Sequence, residues 1–199
     1  MDRATHALAA DLPALAQSLA SAFLDDPVML WMFDDPETRG QKLERWMRFV
    51  LDMGLTRGHL YTAGGNRAAA VWSPPDVTLF DDLWGPRMAQ LMGKQLGERA
   101  GEVMRSLVRV FATQPVDESH FYLFTLGTHA EHQSRGLGAR VLEPVLARCD
   151  AQAIPAHLES SNPRNLPFYE RHGFEVVAEI PIAEGGPVIH PMHREPRRR

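Results

Sequence analysis

Gly136 and Gly138, in the run Gln133-Ser134-Arg135-Gly136-Leu137-Gly138, fall where a loop enters a helix. Glycine there lets a ligand approach backbone N–H groups that have no intrahelical partner, and the aligned peptide dipoles place about half a positive charge at that end. Such a turn favours a phosphate or pyrophosphate, and Arg135 adds a full charge beside it. The same glycines also suit an ordinary cap and turn, and taken alone they do not separate the two readings. A P-loop requires a Gly-Lys-Ser or Gly-Lys-Thr ending, which is missing. A Rossmann fingerprint fits better, since a helix and a second strand follow and Glu159 lies at the right distance for a ribose contact. Against it, the third glycine is missing, the loop from Leu126 to Gly136 is too long for a tight strand-to-helix turn, and too little chain follows for a doubly wound sheet.

Other reactive side chains offer less. Cys149 is the sole cysteine, so it makes no intramolecular disulfide. It shares a helical face with Leu137, Val141, Val145 and Leu146 and reads as a packing residue rather than an activated thiol. His129/His132 and His190/His193 are the pairs that could offer a metal. Neither is read as completed by acidic or cysteine ligands, and no metal is expected.

These groups need elements to hold them. Asp11 is expected to cap a helix built on Leu12, Leu15, Leu19 and Phe23, ended by Asp25-Asp26-Pro27. A second helix is expected from about Glu37 to Leu55, with Gly54 and Gly58 marking its end. His59 to Ala63 and Arg67 to Ser73 read as strands joined at Gly64-Gly65-Asn66. From about Leu79 to Ala112 the pattern is helical but broken at Gly85-Pro86, Gly93 and Gly97. A strand at Ser119 to Leu126, a helix at Gly136 to Ala151 and a strand at Ala156 to Ser160 imply a parallel pair joined by a crossover helix. A short helix within Pro163 to His172 and strands at Phe174 to Pro181 and Pro187 to His193 close the chain, so the sheet is mixed. One α/β (α+β) domain over 1–199 is expected, with a helical half at about 1–118 and a strand-rich core at about 119–195.

At 199 residues the chain can bury roughly 70% of its unfolded surface without a staple. A net charge of -4 argues against nucleic acid as partner, and Arg194, Arg197, Arg198 and Arg199 read as a solvated basic tail. No stretch approaches the run of about 18 apolar residues that spans a bilayer, so no membrane partner is expected. Met1 to Ala10 lack a signal-like apolar core, and a cytoplasmic location is expected.

Gln133-x-x-Gly136-x-Gly138 resembles the Gln/Arg-x-x-Gly-x-Gly/Ala pyrophosphate motif of the GNAT superfamily of N-acetyltransferases. His157-Leu158-Glu159-Ser160, followed by Asn162-Pro163-Arg164-Asn165-Leu166-Pro167-Phe168-Tyr169-Glu170-Arg171-His172-Gly173-Phe174, is similar to that superfamily's downstream motif in content, order and spacing. Within it, Asn165 to Arg171 and the closing Met192-His193-Arg194-Glu195-Pro196 resemble the puromycin N-acetyltransferase group. Thr128-His129-Ala130 departs from the usual Val-x-Pro, and Ser134 replaces a frequent glycine. The resemblance implies the GNAT fold, a mixed central sheet of about six or seven strands flanked by helices, with acetyl-CoA as cofactor and CoA as product. It implies that Leu126, Gly127 and Thr128 meet the pantetheine arm. Gln133, Ser134, Arg135, Gly136, Leu137, Gly138 and Ala139 would hold the pyrophosphate, and Asn165 and Tyr169 would touch the cofactor beyond it.

Such a reaction needs a neutral amine, whereas an alkylamine of pKa about 10.4 is mostly protonated at pH 7, a deficit of roughly 4.6 kcal/mol. Glu159, at the end of its strand, is the candidate base. Tyr169 matches the tyrosine that often protonates the departing thiolate in this superfamily. A phenol of pKa about 10 is a weaker acid than a thiol of about 8.5, so full transfer is uphill by roughly 2 kcal/mol and hydrogen-bond stabilisation is preferred. Phe23, Trp31, Trp46 and Trp72 are candidates for an acceptor pocket suited to an aromatic or amphipathic amine, although core packing also suits the tryptophans. The expected function is acetyl transfer by direct attack to a primary amine of a small molecule or peptide, with a homodimer left open. The alternative is a non-catalytic acyl-CoA-binding or sensing protein.

Overall fold

The computed structural model describes residues 3–57, 59–75, 77, 81–112 and 119–197. In chain order its elements are β1 (Thr5–His6), α1 (Leu12–Ala22), α2 (Pro27–Met32), α3 (Pro36–Thr56), β2 (Leu60–Ala63), β3 (Ala68–Ser73), α4 (Trp84–Leu96) and α5 (Ala100–Phe111). There follow β4 (Phe121–Thr128), α6 (Leu137–Gln152), β5 (Ala156–Ser160), α7 (Leu166–Arg171), β6 (Glu175–Val176), β7 (Ile180–Pro181) and β8 (Val188–Arg194). No described helix is long and apolar enough to cross a membrane.

The apolar spacing sets the long helices, and short polar side chains decide their ends. α1 buries Leu12, Leu15 and Leu19 as its periodicity predicts. Its expected cap, Asp11, instead closes a 3-10 turn at Ala9–Asp11 and accepts from Leu8 N–H at 2.8 Å and Asn66 Nδ2 at 2.7 Å. The Asp25-Asp26-Pro27 stop is also a start: Asp26 Oδ1 accepts from the Val28 and Met29 N–H groups and caps α2, with Pro27 in the first turn, where its missing N–H is harmless. α3 carries Gly54 inside its last turn rather than after it, and Gly58 lies outside the described residues.

The sheet runs β1-β2-β3-β4-β5-β8-β6, with β7 paired to β8. Every pair is antiparallel except β4–β5, the parallel pair that the α6 crossover requires. The expected strand over Phe174 to Pro181 is two short pieces, β6 and β7, and Phe174 before them is buried in the core. Alternation along β3 sorts the layers: Ala68, Ala70 and Trp72 pack with Val141, Val145 and Leu158 on the α6 side, while Ala69 and Val71 pack with α1, α3 and α5 on the other. Both faces of β2 and β3 are thus covered, and every residue of them is buried.

Arg194 is no solvated tail residue. It is 2% exposed, donates to Asp150 at 2.8 and 3.0 Å and to the His172 carbonyl at 2.9 Å, and so ties β8 to α6 and to the end of α7.

Candidate active site

The site begins where the two parallel strands part. β4 and β5 pair only from Phe121↔Ala156 to Leu123↔Leu158. Beyond that, β4 follows β3, with Leu126 opposite Ala70, while β5 follows β8, with Glu159 opposite Pro191. A register shift between Val71↔Thr125 and Trp72↔Leu123 makes Phe124 the extra residue of a bulge, which bends β4 at this point. A cavity of about 120 Å³ opens in the gap, and Leu126, Glu159, Ser160, Asn165, Tyr169 and Phe23 are among its walls. A wider groove of about 640 Å³ beside Arg45, Arg48 and Asp52 contains none of the predicted site residues.

The glycine turn is shaped for an anion. Ser134 and Gly136 both adopt left-handed backbone, at φ 59 and 75°. The helix closes its first bond from Arg140 N–H to the Gly136 carbonyl at 3.2 Å, so the N–H groups of Leu137, Gly138 and Ala139 precede any intrahelical partner. A Cβ on Gly138 would stand 3.3 Å from Phe168 Cζ and 3.6 Å from Leu126 Cδ2, and Leu126 also lines the cavity. A helix start of this kind could hold an anionic group through its backbone N–H groups. Gln133 Nε2 donates to the Thr128 carbonyl at 3.3 Å and fixes the loop to the end of β4. Arg135 donates from Nη2 to the Glu131 carbonyl at 3.1 Å, so its guanidinium folds back over the loop. The Leu137 side chain is core, leaving only its backbone to a ligand. Gly127 is buried under α1, where a Cβ would meet Leu19 Cδ2 at 2.7 Å, so packing alone accounts for its glycine.

Glu159 has neighbours that the sequence did not reveal. The Tyr122 hydroxyl donates to its Oε2 at 2.5 Å, and His157 Nε2 lies 3.3 Å from its Oε1, with only 6% of the Glu159 side chain exposed. Tyr122 sits in register with His157 on the adjacent strand, a juxtaposition that only the parallel pairing creates.

Behind the lining residue Ser161, Asp26 Oδ2 accepts from the Ser161 hydroxyl at 2.5 Å, tying the α1–α2 corner to the end of β5. Burial raises the Asp26 carboxyl above its ordinary range, against the bonds from Ser161, Met29 and Val28. Tyr169 is buried edge-on to Phe168 and Phe174. Burial first, and then the charge of Asp26, push its phenol up. The hydroxyl therefore stays protonated and able to donate.

Of the predicted acceptor residues, Phe23 and Trp46 line the cavity, and Trp31 and Trp72 do not. Trp72 is fully buried in the α6 layer, because β3 is covered on both faces, and Trp31 packs against the helical core on the other side. Cys149 is buried, with its thiol pushed up to about 12 by desolvation. His129 and His132 do have an acidic companion: ligand atoms of His129, Glu131 and His132 all lie within 4.8 Å of one another in the loop before the turn.

Residues 104–196 match the acetyltransferase (GNAT) domain family. An uncharacterised N-acetyltransferase of Schizosaccharomyces pombe is 25% identical over 178 residues, spanning 83% of this chain and 71% of the relative. A Corynebacterium glutamicum structure described as histone acetyltransferase HPA2 and related acetyltransferase superposes with a TM-score of 0.72 at 23% identity, covering 99% of this chain and 97% of that one. Drosophila melanogaster polyamine N-acetyltransferase, which catalyses formation of N-acetylagmatine, gives 0.66 at 16% identity, covering 96% and 98%.

Proposed function

We propose that this chain, which has the GNAT fold and matches the acetyltransferase domain family over residues 104–196, transfers an acetyl group from acetyl-CoA to a primary amine of a small molecule or peptide by direct attack. The observation that carries the reading is a buried carboxylate, Glu159, in the same cleft as Tyr169, whose floor reaches the anion-binding turn through Leu126. The likeness of Asn165 to Arg171 and of Met192 to Pro196 to the puromycin N-acetyltransferase group belongs to this reading.

Acetyl-CoA, when bound, supplies the thioester and its leaving thiolate. The backbone N–H groups from Ser134 to Ala139 hold the pyrophosphate, with Gln133 bracing the loop. The edge of β4 freed beyond Leu123, at Leu126 to Thr128, offers peptide groups to the pantetheine arm, and Asn165 closes the cleft beyond it. Glu159 takes the proton that the attacking nitrogen must lose, its carboxylate aimed by the Tyr122 hydroxyl. Tyr169 donates a hydrogen bond to the developing thiolate. Because its phenol is raised, outright proton transfer is harder still than for a free tyrosine, which favours the hydrogen-bonding role. No covalent acyl-enzyme is invoked, since the Cys149 thiol is buried and protonated.

The test is thiol release and product mass with the purified chain, acetyl-CoA and a panel of aminonucleosides, aminoglycosides, polyamines and peptide N-termini. The expected result is an acetylated amine that forms only when both substrates are present. Acetyl-CoA binding with transfer to no amine would support a sensing protein instead.

A further inference from the structure

We infer that the acceptor is a primary amine on one apolar body carrying no second charge. The inference deepens the reading above and rests on it. Away from Glu159 and Tyr169 the cavity is walled by Met29, Val110, Phe111, Phe124 and Ile189, beside Phe23. Among the described residues that line it, Glu159 is the sole charged side chain. One anion matches one ammonium, which sits where its proton is to be taken.

Among the described residues of the lining a second ammonium meets no counter-charge, only uncharged polar groups and apolar walls, and losing its water there is strongly unfavourable. Asp26 offers a second ammonium no direct contact. It is 5% exposed, does not line the cavity, and its oxygens are already occupied by the Val28 and Met29 N–H groups and the Ser161 hydroxyl. An apolar ring, by contrast, gains from burial against the same walls. The polyamine enzyme of similar fold does not bear on this, because the acceptor is chosen by the lining and not by the sheet.

The test uses the full chain with acetyl-CoA and three probes: 2-phenylethylamine, 1,4-diaminobutane and agmatine. kcat/KM for 2-phenylethylamine should exceed that for either dication by about 100-fold or more, the scale at which a pocket rejects a group it leaves unpaired. Met29→Glu places a carboxylate in the wall at a half-buried position of α2. It should raise the preference for 1,4-diaminobutane over 2-phenylethylamine by about tenfold or more. Dications equal to or better than 2-phenylethylamine in the native chain overturn the inference and leave acetyl transfer standing. An unchanged preference in a folded Met29→Glu chain also overturns it. Transfer to no amine of either kind overturns both.

Discussion

Gly138→Ala should separate cofactor affinity from stability. The added methyl would lie 3.3 and 3.5 Å from the Phe168 ring and 3.6 Å from Leu126 Cδ2. Phe168 is half-buried and can give by a few tenths of an ångström, so the crowding costs about 1 kcal/mol. Alanine in a helix gains about the same over glycine. The two offset, and Tm should move by less than about 4 °C. In the proposed site the methyl, set beside Leu126, also crowds a pyrophosphate held by the N–H groups of the turn. Losing one charge-assisted hydrogen bond of about 1.5–3 kcal/mol raises the Kd for acetyl-CoA by about 10- to 100-fold. Isothermal titration and thermal denaturation measure the two effects separately. Gly93→Ala on α4, where a Cβ meets nothing within 4 Å, is the control. It should gain up to about 1 kcal/mol of stability and leave Kd alone. Wild-type Kd in Gly138→Ala would refute the assignment of the turn.

Arg194→Met removes a 2% exposed guanidinium from Asp150, whose side chain is 24% exposed. Discounted for that exposure, the loss in urea denaturation should be about 2–4 kcal/mol, and a change under about 1 kcal/mol would contradict it. Burial raises the Asp26 carboxyl above its unfolded value near 3.8, so the folded chain holds that proton more tightly and its contribution to stability falls as pH rises through the folded value. Asp26→Asn keeps a capping oxygen, so the Tm difference, variant minus native, should grow from about pH 4 to about pH 7, and a difference that does not vary with pH would argue otherwise. Tyr169→Phe should lower kcat by about tenfold or more with the Kd for acetyl-CoA unchanged; full turnover would remove Tyr169 from the chemistry.

The parts of the site held within one stretch of chain are legible in the sequence. The Gln133 to Gly138 turn, the α6 crossover and β5 follow from local periodicity and from glycine, and their bounds agree within a residue or two. The parts made by register are not. Tyr122 and Glu159 are 37 residues apart, and nothing in either strand announces that their side chains meet. Asp26 and Ser161, separated by 135, are joined only when α1 and α2 fold over the end of β5. Short polar residues misled in both directions: Asp11 binds Leu8 and Asn66 instead of capping α1, and Asp26 begins a helix where an ending was read. Trp72 illustrates the limit of residue type. Its strand is covered on both faces, so alternation sends it into the α6 layer and away from the acceptor cavity.

Proton removal by Glu159 is the central claim, and kcat for acetyl transfer measured against pH in the native chain and in Glu159→Gln tests it most directly. The account predicts a loss of about 100-fold or more, largest at low pH where more of the amine is protonated, with acetyl-CoA affinity retained. Superimposable profiles for the two chains would contradict it.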